Sequence, residues 1–235
     1  MISFGLVLWA VGAGVPAEAG ERLTLEDKVF QADSIVEVVL PLDQPIPKSW
    51  PNKTYDPKRA AFPHQLHSRA MKQAKVERVL KVPKTGKPPT LPKQYAVFSI
   101  GSPCWWKAHA KGGLRTLVFL RLDRKGRHAD LAEAEHETGL YSDLNPDYEL
   151  MVRAIRTLSA WQEQSQPGPV RREEQKKILS ASHDPYQLYL TVAHLKRQDP
   201  DMLDEVWGPR GSSTRTQYEK IVTEPAVEGL CRMGD

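Results

Sequence analysis

The chain alternates between short apolar stretches and longer polar, proline-rich ones, and the spacing inside each stretch predicts its element. Residues 24–32, TLEDKVFQA, predict a short helix, with Thr24 as the capping residue and Asp27 three positions on. Ser34–Leu40, SIVEVVL, is β-branched and apolar between Asp33 and Pro41, which predicts a strand. Six prolines from Pro41 to Pro63 then predict a long loop, because each proline removes a backbone donor. In 72–82, Ala74, Val76, Leu80 and Val82 share one face at period two, and Val76, Val79 and Val82 are β-branched, so this segment reads as a strand. Tyr95–Ile100 (YAVFSI) and Leu114–Leu122 (LRTLVFLRL) predict two more strands. The second is apolar at 114, 118, 120 and 122, with Leu117 and Phe119 on the other face, the pattern of a central strand buried on both sides. A further strand is patterned, less clearly, over 129–141.

From Asn145 the period changes from two to helical. Asn145-Pro146, Asp184-Pro185 and Asp199-Pro200 each put a capping side chain directly before a proline, which the first turn of a helix accepts because it needs no amide donor there. Leu150, Ala154, Ile155, Leu158 and Trp161 form one apolar stripe, and Leu188, Tyr189, Val192, Leu195 and Lys196 another. Residues 170–181 and 213–223 predict further helices. Strands before about 143 and helices after it indicate an α+β chain.

The strand order of the first half, QADSIVEVVL, VERVLKV, a Pro/Gly loop, YAVFSI and GGLRTLVFL, resembles that of netrin/TIMP-like OB-fold modules of exported proteins. The likeness covers roughly residues 24–142 and rests on the strands containing Val76–Lys81 and Gly113–Leu120. It implies a small antiparallel OB-like β-barrel used for binding, followed by a short helical bundle. The resulting division is a signal peptide over 1–19, a β-domain over 20–143 and a helical unit over 144–235. Inhibitors of that family chelate an enzyme's zinc through a mature N-terminal Cys; here no Cys precedes Cys104, and that activity is not expected.

The start of the chain bears on compartment. Met1–Val15 is uncharged and apolar, and Ala17-x-Ala19 supplies small residues before a cleavage point between Ala19 and Gly20. That run is short of the roughly 20 residues a membrane span needs. The expected localisation is therefore exported, periplasmic or extracellular, with no transmembrane span in the mature chain. Cys104 and Cys231 would then sit in an oxidising space, where an even count suggests a disulfide bond between them. Asn52-Lys53-Thr54 is an N-glycosylation acceptor if the host secretes through an endoplasmic reticulum.

Charge adds one asymmetry. Between Pro57 and Leu122 there are 14 Lys and Arg against the single acid Glu77, whereas residues 123–149 hold eight acids against Arg124, Lys125 and Arg127. The candidate anion-binding residues are Lys72, Lys75, Lys81, Lys84, Lys107, Lys111 and Arg115, with Trp50, Trp105 and Trp106 as candidate aromatic contacts. The partner would be an anionic glycan, a lipid headgroup or an acidic protein surface; export argues against nucleic acid. Two other readings compete: the acidic segment neutralises the basic one, or the charges are simply solvated. The spacing does not favour a built groove, because cations recurring every three residues from Arg69 to Lys87 alternate faces on a strand.

Catalytic and metal chemistry find little support. His64-x-x-His67 has no further ligands nearby, and in Glu135-His136-Glu137 the histidine of a strand points away from its two acids. No nucleophile elbow, zincin helix, P-loop or dinucleotide fingerprint is present. No catalytic residue, metal site or cofactor is assigned. The expected function is an exported, non-enzymatic binding protein. The alternatives are a secreted hydrolase drawing its site from distant loops, with His109, His128 or His136 beside a carboxylate, and a structural envelope protein with an exposed helix stripe. Cleavage before Gly20 predicts that the intact mass of the exported protein corresponds to a chain starting there; a mass that retains the leader would refute it.

Overall fold

The structure is a computed structural model and describes residues 23–41, 74–83, 90–91, 108, 111–122, 128–131, 140–164 and 166–222. Helix α1 (Leu25–Gln31) begins where expected: Thr24 Oγ1 accepts a hydrogen bond from the Asp27 amide at 3.1 Å. Its end turns into strand β1 (Ser34–Pro41) at Asp33, whose amide donates to Leu120 O and whose carboxylate accepts from the Leu122 amide. Strands β2 (Lys75–Lys81), β3 (Gly113–Leu122) and β4 (His128–Asp130) complete one antiparallel sheet in the order β2-β1-β3-β4.

The β-branched run of β1 ends up between β2 and β3. Ile35 faces Phe119, and Glu37 faces Leu117 on one side and Arg78 on the other. Both faces of the β1–β3 pair are buried, as the unbroken apolar centre of β3 predicts: Leu117 to Phe119 and Leu120 have no exposed surface. One face, with Ile35, Leu117 and Phe119, lies under helix α2 (Tyr148–Gln162) through Met151, Ile155 and Leu158.

The sheet is open, which corrects the expected OB-like barrel and the resemblance to netrin/TIMP modules. Strands β2 and β4 lie at opposite ends of the strand order and do not pair with each other among the described residues. With three residues, β4 is too short for the staggered pairing that closure requires. The outer edge of β2 carries Lys75, Glu77 and Lys81 among exposed Val76 and Val79, and charge on an edge strand works against further pairing. No disulfide joins any of the described residues, so the Cys104–Cys231 bridge is withdrawn; both cysteines lie outside them. The expected strand at 95–100, most of that at 129–141 and the leader 1–19 also fall outside the described residues.

Helices α3 (Gly168–Ala181), α4 (Pro185–Gln198), α5 (Pro200–Trp207) and α6 (Ser213–Ile221) follow. Asp184 caps α4 as its place before Pro185 predicts, accepting from the Tyr186 and Gln187 amides. Asn145 does not cap α2, which starts at Tyr148. It is buried, its Nδ2 donates to Leu140 O and the Tyr186 hydroxyl, and its Oδ1 accepts from the Asp147 amide. Asp199 stands before α5 without a side-chain cap bond; Arg172 takes its carboxylate instead. The predicted stripe of α2 turns inward; in that of α4, Val192 and Leu195 are buried, Leu188 and Tyr189 half-buried and Lys196 exposed. Tyr186 and Leu190 of α4 join the sheet core, while Val192 and Leu195 join a second core with Leu179, Met202, Leu203 and Trp207. Among the described residues no helix is long and apolar enough to cross a membrane.

Inside the main core sits one carboxylate. Glu37 is buried, accepts from Arg78 Nε at 2.8 Å and from the same guanidinium's Nη2, and takes the Tyr148 hydroxyl at 2.8 Å. Burial alone would raise its pKa, but these hydrogen bonds and the Arg78 and Arg115 charges outweigh that and hold it below the ordinary carboxylate value. Burial and then the Glu37 charge push the Tyr148 phenol far up, so it remains a donor. The stability contributed by Glu37 is therefore complete above the ordinary carboxylate range and is lost as pH falls through the depressed value. Removing Arg78 strands the buried charge, so Arg78→Met should cost about 3 kcal/mol, whereas Glu37→Gln, which can still accept from Tyr148, should cost less. The double variant E37L/R78M should lie closer to wild type than R78M alone in urea unfolding; strictly additive losses would show that the pair is not coupled.

Candidate functional site

The basic residues singled out from the sequence separate on folding. Lys72, Lys84, Lys107, Trp50, Trp105 and Trp106 lie outside the described residues, as do Ala19 and Gly20. Lys75 is exposed on β2. Lys81 Nζ donates to Val29 O at 2.8 Å, joining β2 to α1. Lys111 pairs with Asp143 at 2.6 Å, and Arg115 lies 3.2 Å from Glu77, 3.8 Å from Glu37 and 3.9 Å from Glu149. Asp143 and Glu149 belong to the acidic stretch 123–149, so that stretch neutralises part of the basic one. The histidines named for an enzyme cannot be gathered here: His109 and His136 lie outside the described residues, and His128 enters only through the backbone of β4.

A cleft of about 1090 Å³ opens elsewhere, where several element ends converge. Its walls are the end of α1, the segment after β2, the C-terminal ends of α2 and α4, and the first two turns of α3. The chain leaves α2 through Gln164, whose φ of 55° is left-handed, and this reversal carries it back along the cleft into α3. Gly168, Arg171, Arg172 and Gln175 then follow at helical spacing and all line the cleft.

His194 of α4 lies at its inner wall, only 6% exposed. Its ring is parallel to Phe30 at 6.3 Å and tilted against Trp161 at 5.5 Å. Burial, helped by the Arg171 charge, lowers its pKa to about 4, so at neutral pH the imidazole is uncharged. Its Nδ1 is buried with no hydrogen-bond partner, and so are both amide atoms of Gln162. Native interiors rarely leave buried polar atoms unpaired, and these atoms belong to residues that line the cleft while having no accessible surface of their own.

The charges around the cleft divide into met and unmet. Glu163 accepts from the Val82 amide, Asp33 from the Leu122 amide, and Asp199 from Arg172, which also reaches Glu205 at 3.1 Å. Arg171 makes only a 3.5 Å contact to Trp161 O, and among the described residues no carboxylate comes within ion-pairing distance of it. The described lining contains no Ser, Thr, Cys or Tyr, hence no hydroxyl or thiol nucleophile. No group of three or more His, Cys, Asp or Glu side chains among the described residues is placed to hold a metal ion. The described lining carries the cations Lys81, Arg171 and Arg172 beside the carboxylates Asp33, Glu163 and Asp199.

Of the described lining residues, Lys81 is one of the anion-binding candidates read from the sequence, whereas His194, Gln162 and Arg171 are not. His194 reads in sequence as one polar position in an apolar helix face, TVAHL, which is usually core. The one available signal was Arg171-Arg172 close to the start of a helix, where cations oppose the macrodipole.

Comparison with protein-family models, with curated proteins and with solved structures finds no significant match, netrin/TIMP modules included.

The depressed pKa of His194 makes a signed prediction. Between pH 6.5 and about 4 the unfolded chain binds a proton that the folded one refuses, so stability falls as the pH is lowered through that window. His194→Gln should remove part of the decline in melting temperature between pH 6.5 and 5, above the range in which carboxylates dominate. Identical slopes for the two proteins would show that His194 titrates normally.

Proposed function

We propose that the protein is an exported, non-enzymatic binding protein that takes a small anionic ligand in the cleft between α1, α2, α3 and α4. The observation that carries this reading is a cleft of about 1090 Å³ lined by His194, Gln162 and Arg171, the last with no carboxylate in ion-pairing distance among the described residues. The cleft matches the upper end of typical small-molecule sites, about 300–1,000 Å³. The case for an anion rests on Arg171, which has no ion pair among the described residues; Asp33 and Glu163, hydrogen-bonded to backbone amides, keep their negative charge on the same wall. The basic strand residues contribute less, because Lys111 and Arg115 are met by acids of the same chain.

A ligand held by the folded state alone stabilises it by about 2.7 kcal/mol at a hundredfold excess over its dissociation constant. Thermal-shift screening of anionic metabolites should therefore raise the melting temperature by several degrees for a binder, with the effect weakening as salt is added. Mass spectrometry should recover that binder chemically unchanged; conversion to a product would replace binding with catalysis.

A further inference from the structure

We propose that helix α6 is a detachable strap, caught on α5 by the Arg215 guanidinium and hinged at Gly208 and Gly211, whose opening uncovers the indole of Trp207. The device does not depend on what the cleft binds.

Helix α6 turns a cation inward where a helix ordinarily turns an apolar stripe. Of its nine residues only Arg215 is buried, while Tyr218 and Ile221 are exposed. It is also shorter than the roughly 12 residues at which isolated helices begin to persist in water, so its docking sustains it. That docking centres on one side chain. Arg215 Nη1 donates to Asp204 of α5 at 2.9 Å, and its Nε donates to Glu219, one turn on, at 2.8 Å. The guanidinium lies 6.0 Å from the Trp207 ring centroid. Tyr218 stacks on the same ring at 5.0 Å, with the planes 11° apart, and Val222, just past the helix, is half-buried against the second core. Both acids that meet Arg215 are half exposed, so dissolved ions can compete for the catch.

The connection from α5 is suited to turning. Gly208 and Gly211 both have φ of 86°, a backbone conformation that strains any side chain. At Gly211 a Cβ would meet nothing within 4 Å, so there the backbone alone asks for glycine. Ser212 then caps α6, accepting from the Arg215 amide at 3.1 Å, so the helix carries its own start with it when it moves.

What lies under the strap stays in place without it. Trp207 belongs to α5, its Nε1 donates to Leu179 O at 3.1 Å, and it packs with Leu195, Met202 and Leu203. With Tyr218 stacked on it the ring is only 2% exposed, and lifting α6 opens that face to water. Trp161 in the main core is also 2% exposed and serves as an internal reference.

Hydrogen exchange read by mass spectrometry on the full chain, with hydroxyl-radical labelling of tryptophan, tests the device. Amides of 213–222 should exchange about tenfold or more faster than those of 200–207. Raising sodium chloride from about 0.05 to about 1 M should widen that ratio and increase labelling of Trp207 relative to Trp161. Arg215→Gln should do the same at low salt, Arg215→Lys should recover part of the protection, and Lys177→Gln, exposed on α3, should behave as wild type. If Arg215→Gln does not fold, the salt response of the wild-type chain decides. Exchange of 213–222 in step with 200–207 at both salt concentrations overturns the strap. Faster exchange of 213–222 that responds neither to salt nor to Arg215→Gln overturns the catch. Protection lost from both segments together in Arg215→Gln makes Arg215 a fixed part of the second core and overturns the proposal.

Discussion

A single buried carboxylate decides how the two layers of this protein meet. Glu37 lies at the middle of β1, where an apolar residue would fit the pattern of its neighbours, and it is tolerated only because three partners converge on it. Arg78 comes from β2, Tyr148 from the first turn of α2, and Arg115 approaches from β3. Each partner belongs to a different element, so satisfying one charge sets the β1–β2 register, the position of α2 over the sheet and the side on which β3 lies. The register irregularities on either side of Glu37 in the β1–β2 pairing fall where the strand must present this side chain. An apolar core without it would be comparably stable; what the buried charge adds is a penalty on any arrangement that leaves it unpaired.

Local patterns carried most of the elements and little of their assembly. The run SIVEVVL between Asp33 and Pro41 specifies β1 to within a residue, because β-branching, burial and a terminal proline agree. Asp184-Pro185 likewise specifies the start of α4. Asn145-Pro146 carries the same local signal, yet the Asn145 side chain is drawn inward by Leu140 O and the Tyr186 hydroxyl, which come from other parts of the fold. Barrel closure was illegible for the same reason. Strand rhythm reports which residues face a core, while closure depends on whether distant edges can pair, and β4 is too short for that.

The site was hidden more deeply. Dense positive charge between Pro57 and Leu122 drew attention to residues whose partners lie elsewhere in the chain: Asp143 for Lys111, Glu77 and Glu149 for Arg115. Charge counts along a sequence cannot anticipate such pairing. The cleft, in contrast, assembles from the ends of four helices and the segment after β2, and its polar atoms are isolated residues in otherwise ordinary helices. Only Arg171, a cation at the wrong end of a helix, stood out against its local setting.

Helix α4 belongs to both hydrophobic clusters: Tyr186 and Leu190 near its start join one, Val192 and Leu195 near its end the other. The two clusters therefore share a spine rather than a boundary. The α5–α6 segment rests on that spine through Met202, Leu203 and Trp207, with Gly208 in a left-handed conformation ending α5. This terminal piece is thus held by the second cluster, through the buried Met202, Leu203 and Trp207, rather than by the sheet and α2. Leu195 of that cluster follows His194 directly and lines the cleft with it, so packing of the α5–α6 segment and the shape of the cleft are tied through α4.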